Sequence, residues 1–190
     1  MSVPFALEAR RGFDGLAQQF GMSCVVSNDR EVRYENDGAF LIINFDNDRS
    51  YELGVEVGRK TRAEPERPFS LAEVLRLRGV AEAAAIDGMM VSHVAPLPKA
   101  LVRLARLTSL HAADFLLGSD LSFVQVAQLR QRERDAYALE GALRAARARL
   151  ESAWEERDFH AVVKSLEPLE QHLTPAEKKR LDYARQHLAP

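Results

Sequence analysis

Residues 39–45, Ala-Phe-Leu-Ile-Ile-Asn-Phe, limit the possible folds of this chain more than any other stretch. Apart from Asn44 the run is continuously apolar, rich in β-favouring side chains and far too short to cross a membrane. The flanking segments alternate. Val32 and Tyr34 interleave with Glu31, Arg33 and Glu35 on one side, and Tyr51, Leu53, Val55 and Val57 with Glu52, Gly54 and Glu56 on the other. Period-two alternation marks half-buried strands, whereas an unbroken apolar run marks a strand buried on both faces. Asn36-Asp37-Gly38 and Asp46-Asn47-Asp48-Arg49 supply turns. The pattern predicts a small antiparallel meander with 39–45 at its middle.

Register follows from the turns. A two-residue turn at Asp37-Gly38 pairs Tyr34 with Leu41 and Val32 with Ile43. A three-residue loop over 47–49 then pairs Phe45 with Tyr51, Ile43 with Leu53 and Leu41 with Val55. A slip of one residue would send the apolar set of the last strand to the other face. On that other face Phe40 and Ile42 form an apolar stripe beside Arg33, Glu35, Glu52 and Glu56. An apolar centre with a charged rim is the anatomy of a protein interface, so Glu35, Phe40, Ile42, Glu52 and Glu56 are the candidate partner-binding residues. A helix of the same chain lying across the stripe is the competing arrangement. Residues 28–56 carry eight acids against three arginines. A solvated sheet face accounts for such a bias in the ordinary case; a docking patch for a basic protein is the functional alternative.

The 190 residues, 46% hydrophobic and 28% charged, suffice for one ordinary domain with a helical extension. A formal charge of −2 gives no global indication of nucleic acid or of an anionic membrane as partner. Cys24 is the sole cysteine, which excludes a disulfide or a thiolate cluster within one chain; flanked by Met22 and Val26, it reads as structural. The first residues lack a basic region followed by an apolar core, and no window has the length and apolarity of a membrane span, so a cytoplasmic protein is expected.

Helical signals occupy the rest. Phe5, Phe13, Leu16, Ala17 and Phe20 fall on a helical period that Gly21 stops. Residues 59–68 are charged and contain two prolines, which reads as a loop. Ser70-Leu-Ala-Glu73 has the form of a capping box. Residues 80–96 read as helix then loop, with a short strand at 89–94 as the alternative. From 97 to 117 the leucine spacing is helical and Gly118 is the stop. A long helix then runs from about 120 to 157, carrying Leu129, Ala136, Leu143 and Leu150 seven apart, with Leu139 three residues after Ala136. These four leucines could form a homodimeric coiled-coil seam or be covered by an intramolecular hairpin. Pro168 must kink or split the next helix, and Thr174-Pro-Ala-Glu177 starts the last one. The expected fold is therefore α+β: a domain over 1–118 with a four-stranded antiparallel meander from 22 to 57 and helices on one face, then a helical region over 119–190.

No catalytic signature accompanies these elements. Asp46-Asn-Asp48 opens like a calcium loop but has Tyr51 where the glycine belongs and Val57 where the final glutamate belongs. Asp46, Glu52 and Glu56 could build a metal-dependent hydrolase or nuclease on the sheet, yet no lysine follows either glutamate at the spacing that chemistry favours. The five histidines show no metal-ligand spacing, Ser92-His93 has no triad context, and no glycine-rich phosphate loop is present. Neither cofactor nor metal is expected, and the balance leans away from an enzyme.

The run from Val32-Arg-Tyr34 through Phe45-Asp46 and Arg49-Ser-Tyr-Glu52, closing with Val57-Gly58-Arg59, resembles a pattern in small, uncharacterised bacterial proteins. Some of these are immunity proteins that neutralise polymorphic or contact-dependent toxins. The ending Leu166-Glu-Pro-Leu169, Leu173-Thr174-Pro-Ala-Glu177 and Tyr183-Ala184 is similar to their tails. The resemblance covers 30–59 and 160–188 and carries no catalytic residue. It implies a non-enzymatic cytoplasmic protein that binds another protein, most concretely an immunity or antitoxin-like inhibitor of a basic toxin. The Ala/Arg-rich helix at 120–157 departs from a compact immunity protein, which leaves room for an adaptor or assembly subunit of a bacterial defence complex.

Overall fold

The computed structural model describes residues 5–60, 67–91 and 96–188. The fold is α+β and divides into two compact units, with the boundary between Arg130 and Gln131. That boundary falls inside the long helix rather than at Gly118. Among the described residues no helix is long and apolar enough to cross a membrane.

The first unit opens with α1 (Phe5–Gln19), whose Phe5, Ala9, Phe13, Leu16 and Ala17 form one buried stripe. Gly21, at φ +63°, lets the chain leave the helix. Strands β1 (Ser23–Ser27), β2 (Glu31–Glu35), β3 (Ala39–Phe45), β4 (Leu53–Arg59) and the two-residue β5 (Phe69–Ser70) form one antiparallel sheet in sequence order. Strand β5 adds an edge to the four expected strands. The first hairpin has the expected register: Val32 pairs with Ile43 and Tyr34 with Leu41. Asn36 ties it down. Its Oδ1 accepts from the Gly38 and Ala39 N–H groups at 3.0 and 2.8 Å, and its Nδ2 donates to the carbonyls of Phe20 at 3.1 Å and Leu116 at 2.9 Å.

The second hairpin departs from expectation by two residues. Phe45 pairs with Leu53, Ile43 with Val55 and Leu41 with Val57, and the Phe45–Tyr51 pair does not form. Asp46 is the cause. Its carboxylate accepts from the Asp48, Arg49 and Ser50 N–H groups and from the Ser50 hydroxyl at 2.9 Å, which winds 46–50 into a turn. Tyr51 follows at φ +53°, outside the extended region, so β4 cannot begin before it. A shift of two conserves side-chain parity, so Leu53, Val55 and Val57 still face the core.

Helices α2 (Leu71–Leu77), α3 (Ala83–Ile86), α4 (Leu97–His111) and α5 (Ala113–Leu116) contribute Leu75, Ile86, Leu101 and Phe115 to the same core as Leu41 and Ile43. The helix expected over 97–117 breaks at Ala112, where φ is −115° and ψ 9°. Met90, within the possible 89–94 strand, makes an antiparallel bridge to Glu52. Residues 92–94 of that possible strand, including Ser92-His93, lie outside the described residues, as do 61–66 of the expected loop. On the opposite face Phe40 is fully buried and Ile42 is 8% exposed. The Phe40 ring lies on Gly58, where a Cβ would sit 2.5 Å from two ring carbons, and Arg33 stacks over it at 4.2 Å.

Helix α6 (Asp120–Glu155) begins in this unit, burying Phe123 and Val126. Its later part belongs to the second unit with α7 (Phe159–Leu166), a 3₁₀ turn (Glu167–His172) and α8 (Pro175–Leu188). Asp158 caps α7, and Pro168 ends it by splitting the expected helix. Thr174 and Glu177 form the reciprocal cap of α8. Ala146, Leu150 and Ala153 of α6 pack with Val162, Leu166, Leu181 and Ala184. The seam of leucines is thus divided: Leu150 is core, Leu139 and Leu143 are half-buried in the second unit, and Leu129 is half-buried in the first.

Candidate functional site

The outer edge of β4 is interrupted, and a cleft of about 500 Å3 opens at the gap. Its geometry is set by local chain chemistry. Strand β5 must stop at Ser70 because Ser70 is the N-cap of α2: its hydroxyl accepts from the Glu73 N–H, and the Glu73 carboxylate accepts from the Ser70 N–H at 2.8 Å. Further along, the chain returns to the β4 edge after α3, where the Leu53 N–H donates to the Met89 carbonyl and the Val91 N–H to the Tyr51 carbonyl, both at 2.8 Å. Between these two closures Gly54 and Val55 face the cleft. Gly54 has no room for a side chain, since a Cβ there would overlap the Asn44 amide.

Four carboxylates line the opening: Asp46, Glu52, Glu56 and Asp87. Asp46 spends its oxygens on its own turn. The Ser50 hydroxyl and the surrounding N–H groups hold its pKa below the ordinary range, against a smaller opposing effect of burial. Asp87 is paired with Arg76 at 3.0 Å, and the one lining arginine, Arg30, is paired with Asp48. Among the described residues no basic side chain lies within ion-pair distance of Glu52 or Glu56. Glu56 is half-buried opposite Ser70, and burial pushes its pKa up; Arg130 counteracts this, while Glu31 and Glu73 add to it. Glu73 is solved differently. Burial raises it, but Arg130 grips it at 2.5 and 2.6 Å and, with the Ser70 N–H, brings its pKa below the ordinary value. Arg130 also stacks on Phe69 at 4.1 Å and donates to the Pro68 carbonyl.

Of the five residues singled out on the sheet, the structure brings Glu52 and Glu56 to this cleft and places the others elsewhere. Phe40 and Ile42 are buried, so they offer no apolar centre. Glu35 accepts from Lys60 at 2.6 Å and Arg33 at 2.7 Å; Lys60 most of all, with Arg33, lowers its pKa despite burial. Asp46, Glu52 and Glu56 do not converge as a metal site: among the described residues no three Asp, Glu, His or Cys side chains are gathered closely enough to hold an ion. Sequence reasoning missed Asp87 and Arg130. Asp87 reaches the edge through the chain's return after α3, and the pairing of Arg130 with Glu73 joins residues 57 apart, so no local pattern announces either. The available signal was the capping box, which requires β5 to end where α2 begins. Comparison of the chain with protein-family models, with curated proteins and with solved structures finds no match.

Proposed function

We propose that this chain is a non-enzymatic protein-binding protein, of the immunity or antitoxin-like inhibitor kind, whose β4-edge cleft receives an arginine- or lysine-bearing segment of a basic partner. The observation that carries the reading is the pair Glu52 and Glu56, two carboxylates without a cationic partner among the described residues, at an opening of about 500 Å3. Glu56 has already lost part of its hydration on folding, so a partner's guanidinium restores interactions at little further desolvation cost. Binding is then expected to weaken with salt and with acid. Isothermal titration with the protein encoded beside this chain, at two ionic strengths, tests the reading. Glu52→Lys with Glu56→Lys should abolish binding and the protection of cells that express both proteins. Undiminished binding by that double variant would remove the cleft from consideration.

The hydrolase alternative draws no comparable support, because Asp46 is committed to its turn.

A further inference from the structure

We propose that the β4-edge cleft holds its partner by main chain as well as by charge: the tip of an extended loop adds one β-bridge opposite Gly54, and the bridging residue is an arginine or lysine. This rests on the cleft being the site for a basic segment and specifies how that segment is held. Along a strand of an antiparallel sheet the peptide groups of successive residues point to opposite neighbours. The Asp46 N–H donates to the Glu52 carbonyl on the β3 side, whereas the Leu53 N–H donates away from β3 to the Met89 carbonyl. Leu53 and Val55 therefore turn their peptide groups outwards, into the gap. Among the described residues neither the Leu53 carbonyl nor the Val55 N–H has a hydrogen-bond partner. Val55 is only 2% exposed, so its open N–H lies at the floor of the cleft. A donor so placed gains from an incoming acceptor.

An extended chain with one residue opposite Gly54 supplies what both groups lack, a donor for the Leu53 carbonyl and an acceptor for the Val55 N–H, whichever way it runs. A free guanidinium or amine would leave the Val55 N–H without an acceptor, and a helix spends its main-chain groups on itself. Charge then selects the bridging side chain. Side chains alternate along β4, so Glu52, Gly54 and Glu56 share a face, and a residue opposite Gly54 emerges on it between the two carboxylates. Diagonal neighbours on adjacent strands lie about 7–8 Å apart, within reach of an arginine or lysine. The bridging stretch must also be short. The chain's own closures stand opposite Glu52, at Met90, and opposite Glu56, at Ser70. The rise from Glu52 to Glu56 is about 13 Å, which admits the tip of a loop and not the length of a strand.

The test uses the full chain, labelled with nitrogen-15, and three synthetic pentapeptides blocked at both ends. The first has a central arginine between pairs of alanines. The second is the same peptide N-methylated at the arginine and at the alanine after it, which removes the donor to the Leu53 carbonyl for either chain direction. The third replaces the arginine with uncharged citrulline. Titration followed by nuclear magnetic resonance should move the Val55 amide signal saturably with the arginine peptide, and the other two should bind at least roughly tenfold more weakly. Glu52→Gln with Glu56→Gln should bring the arginine peptide down to the citrulline level. Equal binding of the methylated and unmethylated peptides overturns the proposal and leaves the basic-segment reading standing, because charge alone would then be recognised. Absence of saturable binding by the arginine peptide also overturns it, whereas the basic-segment reading falls only with undiminished partner binding by the Glu52→Lys/Glu56→Lys protein. A wild-type dimer in light scattering that Glu52→Gln with Glu56→Gln converts to a monomer overturns it too, since the cleft would then hold a second copy of the chain.

Discussion

Gly58→Ala should be a severe substitution, and its severity should depend on one other residue. The Phe40 ring covers Gly58 so closely that a new Cβ would lie 2.5 Å from two of its carbons. Phe40 is fully buried, with Arg33 stacked over its ring at 4.2 Å, so it cannot simply swing outwards. Overpacking of this kind costs about 1–3 kcal/mol, and truncating a buried phenylalanine about 3–5 kcal/mol. Were the sites independent, Phe40→Ala with Gly58→Ala would cost the sum. In the structure the clash disappears with the ring, and alanine is the better strand residue by about 0.5–1 kcal/mol. The double variant should therefore be no less stable than Phe40→Ala alone, a coupling of about 1–3 kcal/mol or more. Urea titrations followed by far-ultraviolet circular dichroism on the four proteins of the cycle measure it. Additive costs within about 0.5 kcal/mol would refute the reasoning, because they would mean that the ring does not rest on Gly58.

Other perturbations reach the site and the helical unit. Arg130→Met strips Glu73 of its bidentate partner and should cost about 1–3 kcal/mol, with Glu73→Gln/Arg130→Met recovering part of it in thermal melts. Glu56 has a folded pKa raised above 4.5, so ionising it opposes folding. Stability should fall as pH rises from 4.5 through the folded value, and Glu56→Gln should raise the melting temperature at neutral pH but not below pH 4.5. Glu177 has the opposite sign. Arg147 and the helix-start donors depress it to about 2, so its contribution is present above 4.5 and is lost as pH falls from 4.5 to about 2. Glu177→Gln should accordingly destabilise at pH 7 and be neutral at pH 2. Leu150→Ala removes a side chain only 3% exposed and should cost about 2–5 kcal/mol through the lost core, whether or not the chain self-associates. A purely concentration-dependent loss of stability would place that leucine in an intermolecular seam instead.

The elements readable from sequence were those whose cause is local. The β2–β3 register follows from a two-residue turn, the caps at Ser70 and Thr174 from side chains three residues from their targets, and the split at Pro168 from a missing N–H. Face assignment survived even where register did not, because the Asp46 turn displaced β4 by an even number of residues. What sequence could not show was decided across the chain. The Phe40 stripe looked like a docking surface because nothing local announces that a ring will lie on Gly58 beneath Arg33. The cleft was half visible: Glu52 and Glu56 stood out as sheet-face acids, but the gap between them depends on two distant segments closing the β4 edge short of each other. The leucine spacing in α6 could not by itself distinguish a partner copy from α7 and α8.

The amide of Asn36 bears on the order in which the first unit assembles. It joins the first hairpin to the Leu116 carbonyl, 80 residues away. Closing a flexible loop of that length costs about 4 kcal/mol in chain entropy, beyond a constant that applies to any closure. One amide donating two bonds returns about 2 kcal/mol, so it cannot draw the ends together by itself. Burial of Phe115 and Leu116 against the sheet must supply the attraction. The amide then acts as a latch on a door already swung shut. Asn36→Asp, which keeps the Oδ1 acceptor of the turn and removes the two donors, should leave the folding rate nearly unchanged and accelerate unfolding if those long-range bonds form after the rate-limiting collapse.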